Sequence, residues 1–164
     1  MQSLAIPFAI VIAGIAIASA IYFGDRSKGG LAVAAGNQIA SLDPVTKKDH
    51  ILGNPDAKIV IVEYSDLECP YCKTFHNSMT EVMNTYGESG NVAWVYRHFP
   101  LSFHPKADKE AQATECVAKL GDNKKFWEYT SKIFVATPSN NGLDMSLLPK
   151  LAKDVGIDET AFTA

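Results

Sequence analysis

Residues 58–72 read KIVIVEYSDLECPYC, and the reading of this stretch decides the fold. Lys58–Tyr64 is a run of β-branched residues, the pattern of a strand buried on both faces. Ser65-Asp66-Leu67-Glu68 makes a turn, and Cys69-Pro70-Tyr71-Cys72 opens a helix. Phe75, Met79, Val82, Met83 and Tyr86 recur at helical spacing, which predicts a helix from about Pro70 to Tyr86. Pro70 suits its first turn, where a missing N–H costs nothing. Gly87 and Gly90 supply the stop.

Working outward, Asn91–Arg97 (NVAWVYR) predicts a second strand. The order strand–helix–strand implies a parallel pair with a right-handed crossover. A third strand is expected near His50–Ile51, also parallel. After His98-Phe99-Pro100 the pattern turns helical. Lys106–Leu120 carries Ala113, Cys116, Val117 and Leu120 on one face, with Gly121 ending it. Phe126, Trp127, Thr130, Ile133 and Phe134 line another helix. A third covers about Ser146–Val155 with Gly156 as its cap, and Asp158 is the expected N-cap of a fourth. This is an α/β chain. Two or three parallel strands with no closing hairpin make a poor sheet. The sequence is therefore expected to be part of a longer reading frame, cut one turn into its last helix at Ala164.

Leu4–Phe23 (LAIPFAIVIAGIAIASAIYF) is apolar and uncharged. Roughly 20 such residues are what a helix needs to span the hydrocarbon core. A signal peptide would have a basic start, which is absent, although Ala18-Ser19-Ala20 resembles a cleavage site. Residues 1–23 are read as a membrane anchor, with a cleaved signal as the alternative. Arg26 and Lys28 follow the span, and the positive-inside rule would leave the rest in the cytoplasm. Residues 24–48, rich in Gly, Ala and Ser, read as a flexible linker. That leaves 49–164 as the folded part.

The chain has 164 residues, 47% hydrophobic and 20% charged, with a formal net charge of −3. That balance lacks the basic footprint of a nucleic-acid binder. Three cysteines are too few for a disulfide-stapled scaffold. One close pair, Cys69 and Cys72, with Cys116 left over, points to redox chemistry at the pair. Cys69 would lie at a helix N-terminus, where unpaired N–H groups and the helix dipole favour a thiolate. Cys69 is then the nucleophile that forms a mixed disulfide, and Cys72, one turn further in, resolves it. Glu63 is the lone carboxylate of its strand. If the strand is buried on both faces, Glu63 is desolvated with a raised pKa and can relay the proton of Cys72. The plain alternative is a solvent-facing residue.

The stretch DHILGNPDAKIVIVEYSDLECPYCKTFH, followed by VAWVYRHFPLSFHPKA, resembles DsbA-like disulfide oxidoreductases of the thioredoxin superfamily. The resemblance spans roughly residues 45–162 and is most specific around Cys69–Cys72. It implies a thioredoxin-like fold with an inserted helical subdomain, divided at about residue 104. It also implies truncation before the closing β-hairpin and final helix. Cys69 is implied as nucleophile, Cys72 as resolving cysteine and Glu63 as buried acid, with Pro70 and Tyr71 completing the motif. The best-known oxidising members have His where Tyr71 stands. The family's cis-proline, expected on a strand of the closing hairpin, is not expected at Thr137-Pro138.

The implied activity is oxidation of thiols in exported polypeptides. A quinone-linked membrane oxidase, DsbB-like or VKOR-like, would reoxidise a domain held outside the cytoplasm, against the flanking charges. No cofactor is implied beyond the Cys69–Cys72 disulfide. The alternatives are a reductase or isomerase and, in another class, a metal-binding or adaptor module. For the latter, Cys69, Cys72 and His76, with Cys116 or His104, would be the zinc ligands. The simpler reading makes His76 a helix-surface residue, puts His98 and His104 in a loop, and leaves Trp94 and Trp127 in the core.

Overall fold

The computed structural model describes residues 42–164. The anchor assigned to 1–23 and the linker as far as residue 41 lie outside the described residues. Leu42–Lys48, the end of that linker, is exposed and outside helix and strand.

The elements are β1 (His50–Gly53), β2 (Ile59–Ser65), α1 (Pro70–Val82) with a π-helical turn at Met83–Gly87, β3 (Val92–His98), α2 (Ala107–Leu120), α3 (Asn123–Ala136), α4 (Leu147–Asp154) and α5 (Glu159–Thr163). The sheet order is β1-β3-β2. β2 runs parallel to β3, from Ile59 opposite Val92 to Ser65 opposite His98, as a strand–helix–strand crossover requires.

Two expectations are corrected. β1 is antiparallel to β3, with His50 opposite Tyr96 and Gly53 opposite Ala93. Only residues 54–58 join β1 to β2, and a parallel crossover needs a dozen or more. The short link turns the chain back at Gly53, whose φ of +95° suits glycine; a Cβ there would lie 2.8 Å from the Val92 carbonyl. Second, the strand buried on both faces is β3, where Val92–Tyr96 are all buried. β2 is an edge strand among the described residues. Ile59, Val60 and Tyr64 are 56%, 40% and 43% exposed, while Glu63 and Ser65 are buried.

The core lies where β3 meets α1 and the later helices. Trp94 packs on Trp127 with ring centroids 4.6 Å apart, and Tyr96 meets Phe126 edge-on at 5.7 Å. Phe126, Tyr129, Ile133 and Phe134 give α3 its buried stripe, and Val117 and Ala113 do so for α2. Leu120, expected on the same stripe, is exposed in the last turn. Caps match the sequence reading. Asp122 accepts the Lys125 N–H at 2.8 Å, Asp158 accepts the Ala161 N–H at 2.9 Å, and Gly156 after α4 has φ +87°. The result is the expected thioredoxin-like α/β fold, with helices inserted after β3. Among the described residues no helix is long and apolar enough to cross a membrane.

Candidate active site at the start of α1

The end of β2 and the turn after it aim Cys69 and Cys72. Asp66 is the organiser of that turn. Its Oδ1 accepts the Glu68 N–H at 2.7 Å, and its carbonyl accepts the Cys69 N–H at 3.1 Å. Its Oδ2 accepts the Leu101 N–H at 2.7 Å and pairs with His104 Nδ1 at 3.0 Å. The turn is thereby fastened to the loop after β3, and Asp66 and His104 are both buried. His104 is no plain loop residue.

Cys69 is the N-cap of α1, in extended conformation with φ −80° and ψ 122°, and Pro70 begins the helix. Cys72 lies one turn inside. Both are half-buried free thiols, whereas Tyr71 between them is 84% exposed. Burial pushes the Cys72 thiol up, and the neighbouring Cys69 sulfur adds to this. The Asp66 backbone and the Ser65 hydroxyl act in the opposite direction without overturning the rise. Thiols in such contact are placed to exchange a proton or close a disulfide ring.

Glu63 is buried although β2 pairs on one side only among the described residues. Trp94 on the adjacent β3 donates its indole N–H to Oε2 at 2.9 Å. Burial raises the Glu63 carboxyl above its usual range, against hydrogen bonds from Ser65 and Trp94. Glu63 and Cys72 line one groove of about 350 Å³ together with Tyr64, Tyr71 and Phe75. The structure therefore brings all three expected residues to one place, with Pro70 and Tyr71 between the sulfurs. A recess of about 510 Å³, lined by Lys47, Lys48, His50 and Asn123 among others, lies elsewhere and holds neither a thiol nor a buried acid.

Sequence reasoning missed several neighbours. Ser65, read as part of the turn, ends β2 and is buried. It stands among Glu63, Cys72 and Tyr96 and interacts with all three. These contacts are loose, because the Ser65 and Tyr96 hydroxyls and Glu63 Oε1 lack a partner at full hydrogen-bond geometry. Strand alternation from Glu63 was the available signal for Ser65. Glu68, immediately before Cys69, is fully buried, as is Glu110 of α2. Glu110 falls with Ala107, Ala111 and Thr114 at helical spacing, a stripe of small residues in which a carboxylate stands out.

His76 is not a surface residue. Its Nε2 lies 2.9 Å from the Ser131 hydroxyl, and its ring packs between Trp94 and Phe134 with centroids at 4.9 and 4.7 Å. Burial lowers its pKa to about 4, so it is neutral in the fold. Cys116 sits apart in a small recess with Leu148 and Phe162. Among the described residues no group of three His, Cys, Asp or Glu side chains is arranged to hold a metal ion. His98 faces Thr114 and Glu115 at 2.9 and 3.2 Å rather than the thiols. The bond before Pro138 is trans, as expected.

Comparison with known proteins agrees with this geometry. A profile of the family described as Thioredoxin matches residues 45–164. BdbD from Bacillus subtilis superposes with a TM-score of 0.62 at 29% identity, over 73% of this chain and 65% of that one. DsbA2 from Pseudomonas aeruginosa gives 0.54 at 30% identity, over 74% and 70%. The α-DsbA1 protein of Wolbachia pipientis gives 0.59 at 26%, over 74% and 60%. Among curated proteins, one named Na(+)/H(+) antiporter NhaA 1 from Mycolicibacterium gilvum is 36% identical over 122 residues, which is 74% of this chain. The chain spans only 18% of that relative's length. By its sequence match and its shared architecture, the chain belongs to the thioredoxin family and is built as a DsbA-like member of it.

Proposed function

We propose that the protein is a thiol–disulfide oxidoreductase that oxidises thiols in exported polypeptides. The observation that carries this reading is Cys69 at the helix N-cap, with Cys72 one turn inside and sharing a groove with buried Glu63. A client thiolate attacks the Cys69 sulfur of the Cys69–Cys72 disulfide. The S–S bond breaks, a mixed disulfide forms, and Cys72 leaves as thiolate. Glu63, whose proton affinity burial raises, is the group placed to pass a proton to Cys72. A second client thiolate then attacks the client sulfur of the mixed disulfide and releases Cys69. The client loses two electrons and two protons, and the Cys69–Cys72 pair gains them.

A quinone-linked membrane oxidase, DsbB-like or VKOR-like, would accept those electrons and restore the disulfide. No other cofactor enters. The apolar stretch Leu4–Phe23 would tether the domain at the cell membrane on its extracytoplasmic side, where client disulfides persist. Tyr71 in place of histidine favours the reductase or isomerase direction as a second reading, since a phenol offers the Cys69 thiolate no positive charge.

The test is trapping. In Cys72→Ser, mixed disulfides between Cys69 and client polypeptides should accumulate and resolve on diagonal gels after reduction. In Cys69→Ser they should be absent, with the fold intact. No trapped complex in Cys72→Ser would remove the exchange mechanism.

A further inference from the structure

Glu68 and Glu110 are two carboxyl groups that the proposed chemistry leaves unused, and both are fully buried. Glu68 is rich in donors. Its carboxylate accepts the Thr137 hydroxyl at 3.1 Å, the Gly142 N–H at 3.1 Å and the Leu143 N–H at 3.3 Å. Glu110 has no such partner: among the described residues no N–H or hydroxyl satisfies either of its oxygens. The group it interacts with is the neighbouring Glu68 carboxyl. A buried carboxylate with no donor is strongly disfavoured, so Glu110 keeps its proton and donates it to Glu68. Burial, then the bond and charge of Glu68, push Glu110 up to about 9. For Glu68, burial acts upward, but the bonds from Glu110, Thr137 and the loop amides outweigh it and lower the group.

The pair holds something that needs holding. Ser139, Asn140 and Asn141 have φ of 69°, 53° and 66°, three consecutive left-handed residues without a glycine. Such backbone persists only where its surroundings fix it. Here the Asn140 N–H binds the Glu68 carbonyl at 2.8 Å, and Lys73 Nζ binds the Thr137 carbonyl at 2.7 Å. Lys106 Nζ binds the Leu143 carbonyl at 2.7 Å, and Asn141 Nδ2 reaches the Phe103 carbonyl at 3.2 Å. The loop is thus joined to the residue before Cys69, to the first turn of α1 and to the segment bearing exposed Phe99 and Phe103.

We infer that the buried Glu110 and Glu68 carboxyls form a positioning device: a proton shared between them keeps the 137–143 loop docked beside Cys69 as one wall of the client-binding rim. This rests on the oxidoreductase reading for what the rim binds. Neither carboxyl touches the reacting sulfurs, so both are positioning residues. When the proton leaves, two negative charges face each other in a buried site and the loop is released. Asp66 and Glu68 push toward keeping that proton, and Lys106 toward losing it. Beyond these, Lys73 from α1 bears on the loop, Tyr129 from α3 feels the Glu110 charge, and His104 is paired with Asp66.

The test uses the full chain and its Glu110→Gln variant, which keeps a donor to Glu68 but cannot ionise. Carbon-detected NMR would follow the Glu110 carboxyl and the Cα shifts of Ser139, Asn140 and Asn141 from about pH 6 to about pH 10. The Glu110 carboxyl and the three Cα shifts should move together with a midpoint near 9 in the wild type. In Glu110→Gln the Cα shifts should stay put. In parallel, KM for a dithiol client peptide should rise about tenfold above the midpoint in the wild type and stay flat in the variant. Alkylation of Cys69 by iodoacetamide should follow one pH curve in both proteins, separating loop release from thiol ionisation. A Glu110 carboxyl that titrates near its ordinary value overturns the inference. So do loop shifts, or a KM profile, that are the same in both proteins. If neither protein turns over the peptide, the oxidoreductase reading fails, while the carbon shifts still decide whether the pair docks the loop.

Discussion

Two buried regions meet at Trp94 and are made of opposite materials. Between β3 and α3 lies an aromatic block of Trp94, Tyr96, Phe126, Trp127 and Phe134. Beneath the dithiol lies a polar floor, in which Glu63, Ser65, Asp66, Glu68 and Glu110 are all buried. The first contributes stability by removing apolar area from water and contains little that titrates. The second stores protons at raised or lowered affinity and depends on pH wherever it does so. Trp94 joins them: its ring packs on Trp127, and its N–H binds Glu63. The lesson is a division of labour, with a stiff apolar wall holding acids that could not otherwise stay buried.

The comparison can be broken first at the thiols. Cys69→Ser should abolish client oxidation, with a rate loss of at least about 10³-fold, and leave the unfolding midpoint nearly unchanged. On the aromatic side, Phe126→Ala should cost about 3–5 kcal/mol in urea unfolding, by lost burial and the cavity left behind. That loss comes from packing and not from a proton held by a buried acid.

The polar floor should behave otherwise. Glu110 binds its proton more tightly folded, at about 9, than unfolded, at the reference 4.5. As pH rises through that window the unfolded chain releases the proton and the folded one retains it, so stability falls. Urea titrations should show the wild type losing a few kcal/mol across the window, and Glu110→Gln should remove most of that slope.

Smaller effects sharpen the picture. Glu63→Gln leaves an acceptor for the Trp94 N–H, so stability should change by less than about 1 kcal/mol. Stopped-flow exchange with a client peptide near neutral pH should slow about tenfold or more, if Glu63 supplies the Cys72 proton. His76 marks the seam from the aromatic side. Its pKa falls from 6.5 to about 4 on folding, so stability is lost as pH drops through that interval, and His76→Gln should lessen the acid slope.

What was legible in the sequence was what is local along the chain. β2, α1 and β3 each show their period within a few turns, and the cysteine spacing sits at their junction. The direction of β1 depended on the five-residue link, a matter of reach rather than pattern. β2 exposes Ile59, Val60 and Tyr64 among the described residues, and a β-branched run does not tell how many neighbours a strand has. His76 falls at helical spacing with Met79 and Met83, a buried stripe that its polarity disguised. Glu68 and Glu110 were beyond reach as a pair. They are neighbours only because the 137–143 loop and the start of α2 fold over the turn before Cys69, and no local pattern encodes that meeting.

If Cys69–Cys72 is an oxidising dithiol, its reduction potential is the property that must show it. The full chain would be equilibrated in glutathione buffers and read by thiol trapping, with Cys116→Ser to confine the signal to the pair. A potential near about −120 mV, that of a strong disulfide donor, is the result predicted here. A potential near about −270 mV, or no reversible dithiol–disulfide transition, would contradict it.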